Sequence, residues 1–187
     1  MEIVITGGEL RGRRLVVPDN IRVRPTMSLI RESVFNSLGD RVFNSKFLDL
    51  FAGFGTVGIE ALSRGAQSAT FVEKNKKSVG IIRKGLEIFD LSGRTEIFNI
   101  SAEKFLQITN STYNIIYLDP PYMFDCSDLI LGILDKKILA DDGIIVWETS
   151  VRSNINKKRF NTVKEKRYGE TVVLYIEYEE SGISREF

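Results

Sequence analysis

The sequence predicts an α/β fold: a mostly parallel sheet with helices on both faces, an antiparallel strand near the C-terminus and a small β-hairpin extension at the N-terminus. Three observations carry this expectation. From residue 46 onward, short apolar runs alternate with segments of helical period. The runs are almost continuously apolar, as strands covered on both faces must be. The first of them ends in a glycine-rich turn that opens a helix.

Taken in order, Ile3-Val4-Ile5 and Leu15-Val16-Val17 flank Gly7, Gly8 and Gly12, which reads as a hairpin. Pro18 and Pro25 punctuate its end. Leu29, Ile30, Val34, Phe35 and Leu38 then fall at helical spacing, with Gly39 as a stop and the apolar face laid on the sheet. Strands are expected at Phe47 to Phe51, Ala69 to Val72, Thr95 to Ile100, Tyr113 to Leu118 and Gly143 to Trp147. Between them lie helices at Val57 to Ser63, Ser78 to Phe89, Glu103 to Gln107 and Leu129 to Leu134. Phe160 to Lys166 and Thr171 to Tyr178, joined through Tyr168-Gly169, read as a hairpin with most of its residues covered. Residues 1–26 are expected to form the basic β extension and 27–187 the main domain.

Composition narrows the chemistry. The 187 residues suit one domain with an appendage, and 43% apolar with 27% charged residues is ordinary for a globular chain. One cysteine, Cys126, excludes an internal disulfide. The absence of histidine removes imidazole bases, Ser-His-Asp triads and most zinc sites. No signal peptide or membrane span is visible, so a cytoplasmic location is expected. Net charge is only +1, but Arg11, Arg13, Arg14, Arg22, Arg24 and Arg31 crowd the N-terminal segment while acids load the C-terminus. That asymmetry is compatible with one basic, RNA-binding face, and equally with solvated arginines balanced by distant acids.

The turn after the strand at residue 47 carries Gly53, Gly55 and Gly58 at G-x-G-x-x-G spacing. Missing Cβ atoms let main chain approach a nucleotide-like ligand. Glu73, at the end of the next strand, can accept both hydroxyls of a bound ribose. Asp49 lies just before the loop. A carboxylate there can meet the ammonium of a methionine moiety and would repel a pyrophosphate, which favours S-adenosylmethionine over NAD.

A second loop, Asp119-Pro120-Pro121-Tyr122, follows the apolar strand ending at Leu118. Ligands of open α/β sheets bind beyond the carboxyl ends of the strands, which puts Asp119 on the same rim as Gly53 and Glu73. The two prolines fix the backbone and hold carbonyl acceptors rigidly. Asp119 and the Pro120 carbonyl can accept the hydrogens of an exocyclic base amine, and Tyr122 can stack on the base. The plain alternative is a rigid turn in which Asp119 merely caps.

The pairing of Asp49-Leu50-Phe51-Ala52-Gly53-x-Gly55 with Asp119-Pro120-Pro121-Tyr122 resembles class I methyltransferases acting on base amines. Gly8-x-x-Arg11-Gly12-Arg13, Arg24-Pro25-Thr26, Arg31-Glu32-x-x-Phe35-Asn36 and Glu60-Ala61-Leu62-Ser63-Arg64-Gly65-Ala66 are similar to the RsmD family of bacterial 16S rRNA guanine-N2 methyltransferases. The resemblance runs through essentially the whole chain. It implies a seven-stranded Rossmann-like methyltransferase sheet and S-adenosylmethionine as cofactor. It also implies 16S rRNA in a small-subunit assembly particle as substrate. In the family's manner, Phe51, Ser101, Ala102 and Asp119 would join Asp49, Gly53, Gly55 and Glu73 around the cofactor, with Thr26 closing over it. Two positions depart from the pattern: Ser101 stands where the family usually has aspartate, and Phe54 where a small residue separates the loop glycines.

Direct displacement on a sulfonium needs no metal, and proton loss to solvent suits a chain without histidine. A monomer that needs neither metal nor membrane is expected. Three rivals stay open. A DNA adenine-N6 or cytosine-N4 methyltransferase would share Asp119 to Tyr122 but usually carries a target-recognition insertion. An NAD oxidoreductase would share only the glycine loop. A non-catalytic RNA-binding module would use only the arginines.

Overall fold

The computed structural model describes residues 2–17, 25–121, 124–153 and 155–178, with the side chains of 25–27 left aside. Two short strands, β1 (Glu2–Val4) and β2 (Arg14–Val16), pair antiparallel, with Ile3 opposite Leu15. Helix α1 (Pro25–Leu38) follows and stops at Gly39, whose φ of 53° breaks the helical run and leads into a single 3-10 turn. The main body then alternates: β3 (Lys46–Asp49), α2 (Thr56–Ser63), β4 (Ser68–Val72), α3 (Lys76–Ile88), β5 (Thr95–Phe98), α4 (Ala102–Ile108), β6 (Tyr113–Leu118), α5 (Ser127–Asp135) and β7 (Leu139–Ser150). Strands β8 (Asn161–Tyr168) and β9 (Thr171–Glu177) close the chain.

The seven main strands form one sheet in the order β5-β4-β3-β6-β7-β9-β8. Pairings from β5 to β7 are parallel; β9 runs antiparallel to both β7 and β8. The expected Rossmann-like architecture is therefore present, with its antiparallel C-terminal strand and N-terminal hairpin. The chain winds outward from β3 to β5, then returns to place β6 on the other side of β3. This reversal opens a crevice at the carboxyl ends of β3 and β6, where open α/β sheets bind ligands.

Each face of the sheet has its own core. One is built from Phe47, Phe71, Ile115, Tyr117, Val146 and Tyr175 against α1, α2, α3 and the hairpin residues Ile3, Ile5, Leu10 and Leu15. The other packs Leu48, Ile116, Leu118, Ile145 and Trp147 against α4 and α5. The alternation of sides along each strand is the period-2 pleat.

Two expectations need correction. Leu29 does not belong to the apolar face of α1: it is 64% exposed, whereas Ile30, Val34, Phe35 and Leu38 are buried. A stripe at i, i+4, i+5 and i+8 is enough to cover this side of the sheet, and Leu29 lies beyond its edge. The C-terminal hairpin is covered on one strand only. Strand β9 is buried between β7 and β8, while β8 is the sheet edge and exposes Lys164, Glu165 and Arg167. Charges along an edge strand discourage pairing with another chain. No helix among the described residues is long and apolar enough to cross a membrane.

Candidate active site

The crevice is built by the glycine loop between β3 and α2. Gly55 caps α2 in the left-handed region at φ 77°, and its N–H bonds to the Ala52 carbonyl at 2.6 Å. Gly58, one turn into the helix, presses on the sheet; a Cβ there would stand 2.3 Å from a ring carbon of Phe71. The third glycine of the spacing thus serves helix–strand packing, which brings the start of α2 over the ends of β3 and β4. Phe54 is half-buried and packs on the same core, so its bulk is turned to structural use.

Asp49, the last residue of β3, is only 2% exposed and accepts a hydrogen bond from Gly58 N at 3.2 Å. Burial pushes its carboxyl from 3.8 up to about 7, offset in part by the Gly58 N–H and reinforced by the Asp119 and Glu73 carboxylates. Glu73, one residue past β4, accepts from Gly53 N at 2.8 Å through one oxygen and from Asn75 N at 2.6 Å through the other. A carboxylate offers about four lone-pair positions, so both oxygens retain capacity for hydroxyl donors. The backbone bonds fix the carboxylate at the mouth of the loop.

Asp119 follows β6 on the same rim. It is open to solvent, yet the protein around it pushes its carboxyl from 3.8 up to about 6. Pro120 and Pro121 carry the chain away from the sheet, and Phe124 N returns a hydrogen bond to the Pro121 carbonyl. Tyr122 lies outside the described residues, as do Arg22 and Arg24; Thr26 sits in the first turn of α1, with its side chain outside the description. Ser101 caps α4, its hydroxyl accepting from Lys104 N at 3.3 Å and bonding Glu103, which lowers that carboxyl. Ala102 is buried beside it. The serine therefore has a structural duty that competes with ligand binding.

The structure brings Asp49, Phe51, Gly53, Gly55, Glu73 and Asp119 to one rim. It also adds residues the sequence did not suggest. Phe124 meets Phe51 edge to face, with ring centroids 5.7 Å apart, and supplies an aromatic wall. Glu148, on β7, accepts a hydrogen bond from the Tyr117 hydroxyl. Burial and the neighbouring Asp119 push its carboxyl from 4.5 up to about 8. Tyr117 is driven well above 10, chiefly by burial and then by Glu148. Among the described residues the rim thus gathers carboxyl groups that raise one another, and it suits a cationic ligand. Among the described residues, no group of three or more His, Cys, Asp or Glu is arranged to hold a metal ion.

The arginines divide. Arg11, Arg13 and Arg14 are exposed on the hairpin; Arg13 lies 5.3 Å over the Phe89 ring and Arg14 pairs with Glu2 at 2.7 Å. Arg31 must be removed from the candidate RNA surface. It is 5% exposed, pairs with the fully buried Glu60 at 3.3 Å and donates to the Val4 carbonyl at 2.6 Å. A guanidinium this deeply buried and already paired cannot reach a phosphate at the surface.

Comparison with known proteins agrees with this architecture. The family model described as Conserved hypothetical protein 95 matches residues 3–177. The ribosomal RNA small subunit methyltransferase D of Escherichia coli K12 is 36% identical over 155 residues, 82% of this chain and 78% of its own length. The solved structure of yhhF from Escherichia coli superposes with a TM-score of 0.84 at 32% identity, covering 96% of this chain and 99% of that one. A Thermus thermophilus 16S rRNA N2 G1207 methyltransferase, solved with AdoMet and guanosine, shares the fold at a TM-score of 0.74 and 22% identity, over 96% of this chain and 50% of that one. On the span of the family match and the identity to the Escherichia coli protein, the chain belongs to the RsmD family.

Proposed function

We propose that this protein transfers a methyl group from S-adenosylmethionine to the exocyclic N2 amine of a guanine in 16S rRNA of the small ribosomal subunit. The observation that carries the reading is the pair of carboxylates Asp49 and Asp119 at the ends of adjacent strands β3 and β6, beside the glycine loop and Glu73. Within this reading Asp49 meets the ammonium of the methionine part. Glu73 takes the ribose hydroxyls, the main chain at Gly53 and Gly55 allows close approach, and Phe51, Ser101 and Ala102 border the adenine. Thr26 belongs to the segment that closes over the site. Bound there, the cofactor supplies an electrophilic methyl on a sulfonium.

Asp119 and the Pro120 carbonyl orient the base amine by accepting its hydrogens, and Tyr122 stacks on the base. The nitrogen lone pair forms the new bond to the methyl carbon as the carbon–sulfur bond breaks, its electron pair remaining on sulfur. Asp119 offsets positive charge growing on the amine, and the released proton passes to solvent. In-line alignment supplies most of the acceleration. Residues 1–26 act as a basic β extension on a methyltransferase domain formed by 27–187, and the protein works as a cytoplasmic monomer. The test is labelled methyl transfer to unmodified small subunits, free rRNA and DNA, with nucleosides identified by mass spectrometry. N2-methylguanine from the particle supports the assignment; N6-methyladenine or N4-methylcytosine as the main product overturns it.

The charge state of the rim sets a pH dependence. Asp49 is held near 7 in the empty protein, so below that pH it carries a proton that a cationic ligand must displace. Affinity for S-adenosylhomocysteine, which keeps the ammonium, should rise by up to about tenfold per pH unit between pH 5.5 and 7 and then level off. Binding at pH 6 should release protons, visible by calorimetry in buffers of different ionisation enthalpy. For stability of the empty protein the sign is opposite: the raised carboxyl costs nothing at pH 3 and progressively destabilises the fold from about pH 4 to 7. An affinity flat across this range would remove Asp49 from the ammonium site.

Arg11, Arg13 and Arg14 supply phosphate contacts in this reading. Replacing all of them with alanine should weaken binding to the RNA substrate and flatten the log–log salt dependence by about one unit per lost contact. Unchanged RNA affinity and slope would return these arginines to ordinary solvated surface.

A further inference from the structure

We propose that Glu148 reads the Watson–Crick edge of the target guanine by accepting the N1 hydrogen while Asp119 accepts a hydrogen of N2. The proposal rests on the guanine-N2 reading above and assigns its base specificity to a residue on β7.

The register places the two acids together. Tyr117 and Leu118 of β6 pair with Val146 and Trp147 of β7. One step further along the parallel strands come Asp119 and Glu148. Tyr117 and Val146 point into the core on the α1 side and Leu118 and Trp147 into the other. By the pleat, Asp119 and Glu148 both return to the α1 side. Adjacent strands lie about 4.8 Å apart, so the carboxylates are lateral neighbours along the rim. Glu148 feels Asp119 first, then the opposing charge of Arg31 and then Asp49, and Asp119 also acts on Asp49.

Holding Tyr117 does not explain this acid. Among the described residues Tyr117 is the hydrogen-bond donor to Glu148, and it engages one oxygen. A neutral amide oxygen would accept that hydroxyl equally well without placing a second carboxylate beside Asp119. Two carboxyl groups this close resist ionising together, so Glu148 holds its proton until a donor arrives, and it remains partly accessible at the crevice. The arrangement becomes favourable when a group with adjacent donors enters.

Guanine presents such a pair: N1–H stands next to the N2 amine. Adenine and cytosine place an unprotonated ring nitrogen beside their amines, so wherever Glu148 is ionised their lone pair would face a carboxylate. A site built for a donor rejects an analogue that lacks it, because the buried acceptor is left unpaired. The two carboxylates would therefore pass guanine and exclude the other amine-bearing bases.

2-Aminopurine separates the roles, since it keeps the N2 amine but has a bare N1. Small subunits are reconstituted with 16S rRNA carrying guanine or 2-aminopurine at the target position, and methyl transfer is followed with labelled cofactor. The wild-type chain should prefer guanine by about 100-fold in kcat/KM. Glu148→Gln, whose amide can donate to the bare N1, should lose most of its guanine activity and narrow the preference to under about fivefold. Glu148→Asp, which keeps the charge, should be slower but retain the sign and most of the size of the preference. S-adenosylhomocysteine affinity, measured on the same variants, should stay within about twofold of wild type, which separates lost recognition from lost folding. A wild-type-sized preference in Glu148→Gln overturns the assignment while leaving the guanine-N2 reading intact. Failure of the wild-type chain to form N2-methylguanine overturns both.

Discussion

Asp119→Ala should lower kcat for methyl transfer by about 10²- to 10³-fold, the usual effect of removing one preorganised group that answers charge developing in a transition state. Cofactor affinity should change far less, because Asp49 and Glu73 hold the parts of that ligand with the strongest charge and hydrogen-bonding demand. The same substitution should make the empty protein more stable at alkaline pH. The protein crowding one side of the solvent-open Asp119 holds its carboxyl near 6, above its ordinary 3.8, so the folded state favours its protonated form. Above pH 6 that preference is a penalty on folding, and it vanishes below about pH 4. Removing the group therefore raises Tm at pH 8 and leaves it unchanged at pH 4. Asp119 also raises Asp49 and Glu148, so both should titrate lower in the variant. Asp119→Asn keeps an acceptor but loses the charge and should fall between wild type and alanine. Activity and stability moving in opposite directions is the signature of a group kept for function. Near wild-type turnover in Asp119→Ala, with an unchanged product, would end its role in orienting the amine.

The parts legible in the sequence were those with a local physical cause. Buried parallel strands must be apolar throughout, so β4 and β6 could be placed within a residue or so, and β6 from Tyr113 to Leu118 without error. The glycine loop was legible because Gly55 must adopt positive φ and Gly58 must admit Phe71. What stayed hidden depended on contacts between distant segments. Arg31 sits among other arginines in sequence, and only the fold reveals that Glu60, 29 positions away, has taken its charge. Glu148 follows Trp147, where the apolar run ends, and a lone acid after a strand reads as the return to solvent. Its meaning comes from the β6–β7 register, which sets it beside Asp119. Phe124 follows a proline turn, and nothing in its surroundings announces the contact with Phe51.

Glu60→Ala should be the most damaging single change to stability, costing about 3–5 kcal/mol, the range for removing one partner of a buried charge network. Glu60 is fully buried on α2. Its carboxylate accepts from Thr6 N at 2.9 Å and Thr6 Oγ1 at 2.7 Å, and it pairs with Arg31 at 3.3 Å and Arg64 at 2.9 Å. Arg31 in turn donates to the Val4 carbonyl, and Arg64 to Thr6 Oγ1 at 3.1 Å. One acid thus ties the N-terminal hairpin, α1 and α2 into a single body. Without it the nearly buried Arg31 guanidinium keeps its desolvation penalty and loses its counter-charge. For a chain of this size the loss corresponds to a Tm drop of roughly 10 °C. Replacing Arg31 and Glu60 together with methionine and leucine should recover part of the loss, since the nearly buried guanidinium leaves with its partner and only the more accessible Arg64 loses a counter-charge. The functional consequence follows from what the clamp holds. Arg11, Arg13 and Arg14 ride on the hairpin, and the cofactor loop opens α2 one turn before Glu60. Below its melting point Glu60→Ala should therefore weaken RNA binding more than S-adenosylhomocysteine binding, because the hairpin loses its anchor while the Gly58–Phe71 packing still fixes the loop. Thermal melts and paired binding isotherms on the single and double variants check this. A stability loss under about 1 kcal/mol would show that water or neighbouring groups satisfy Arg31 and that the clamp is not what fixes the hairpin.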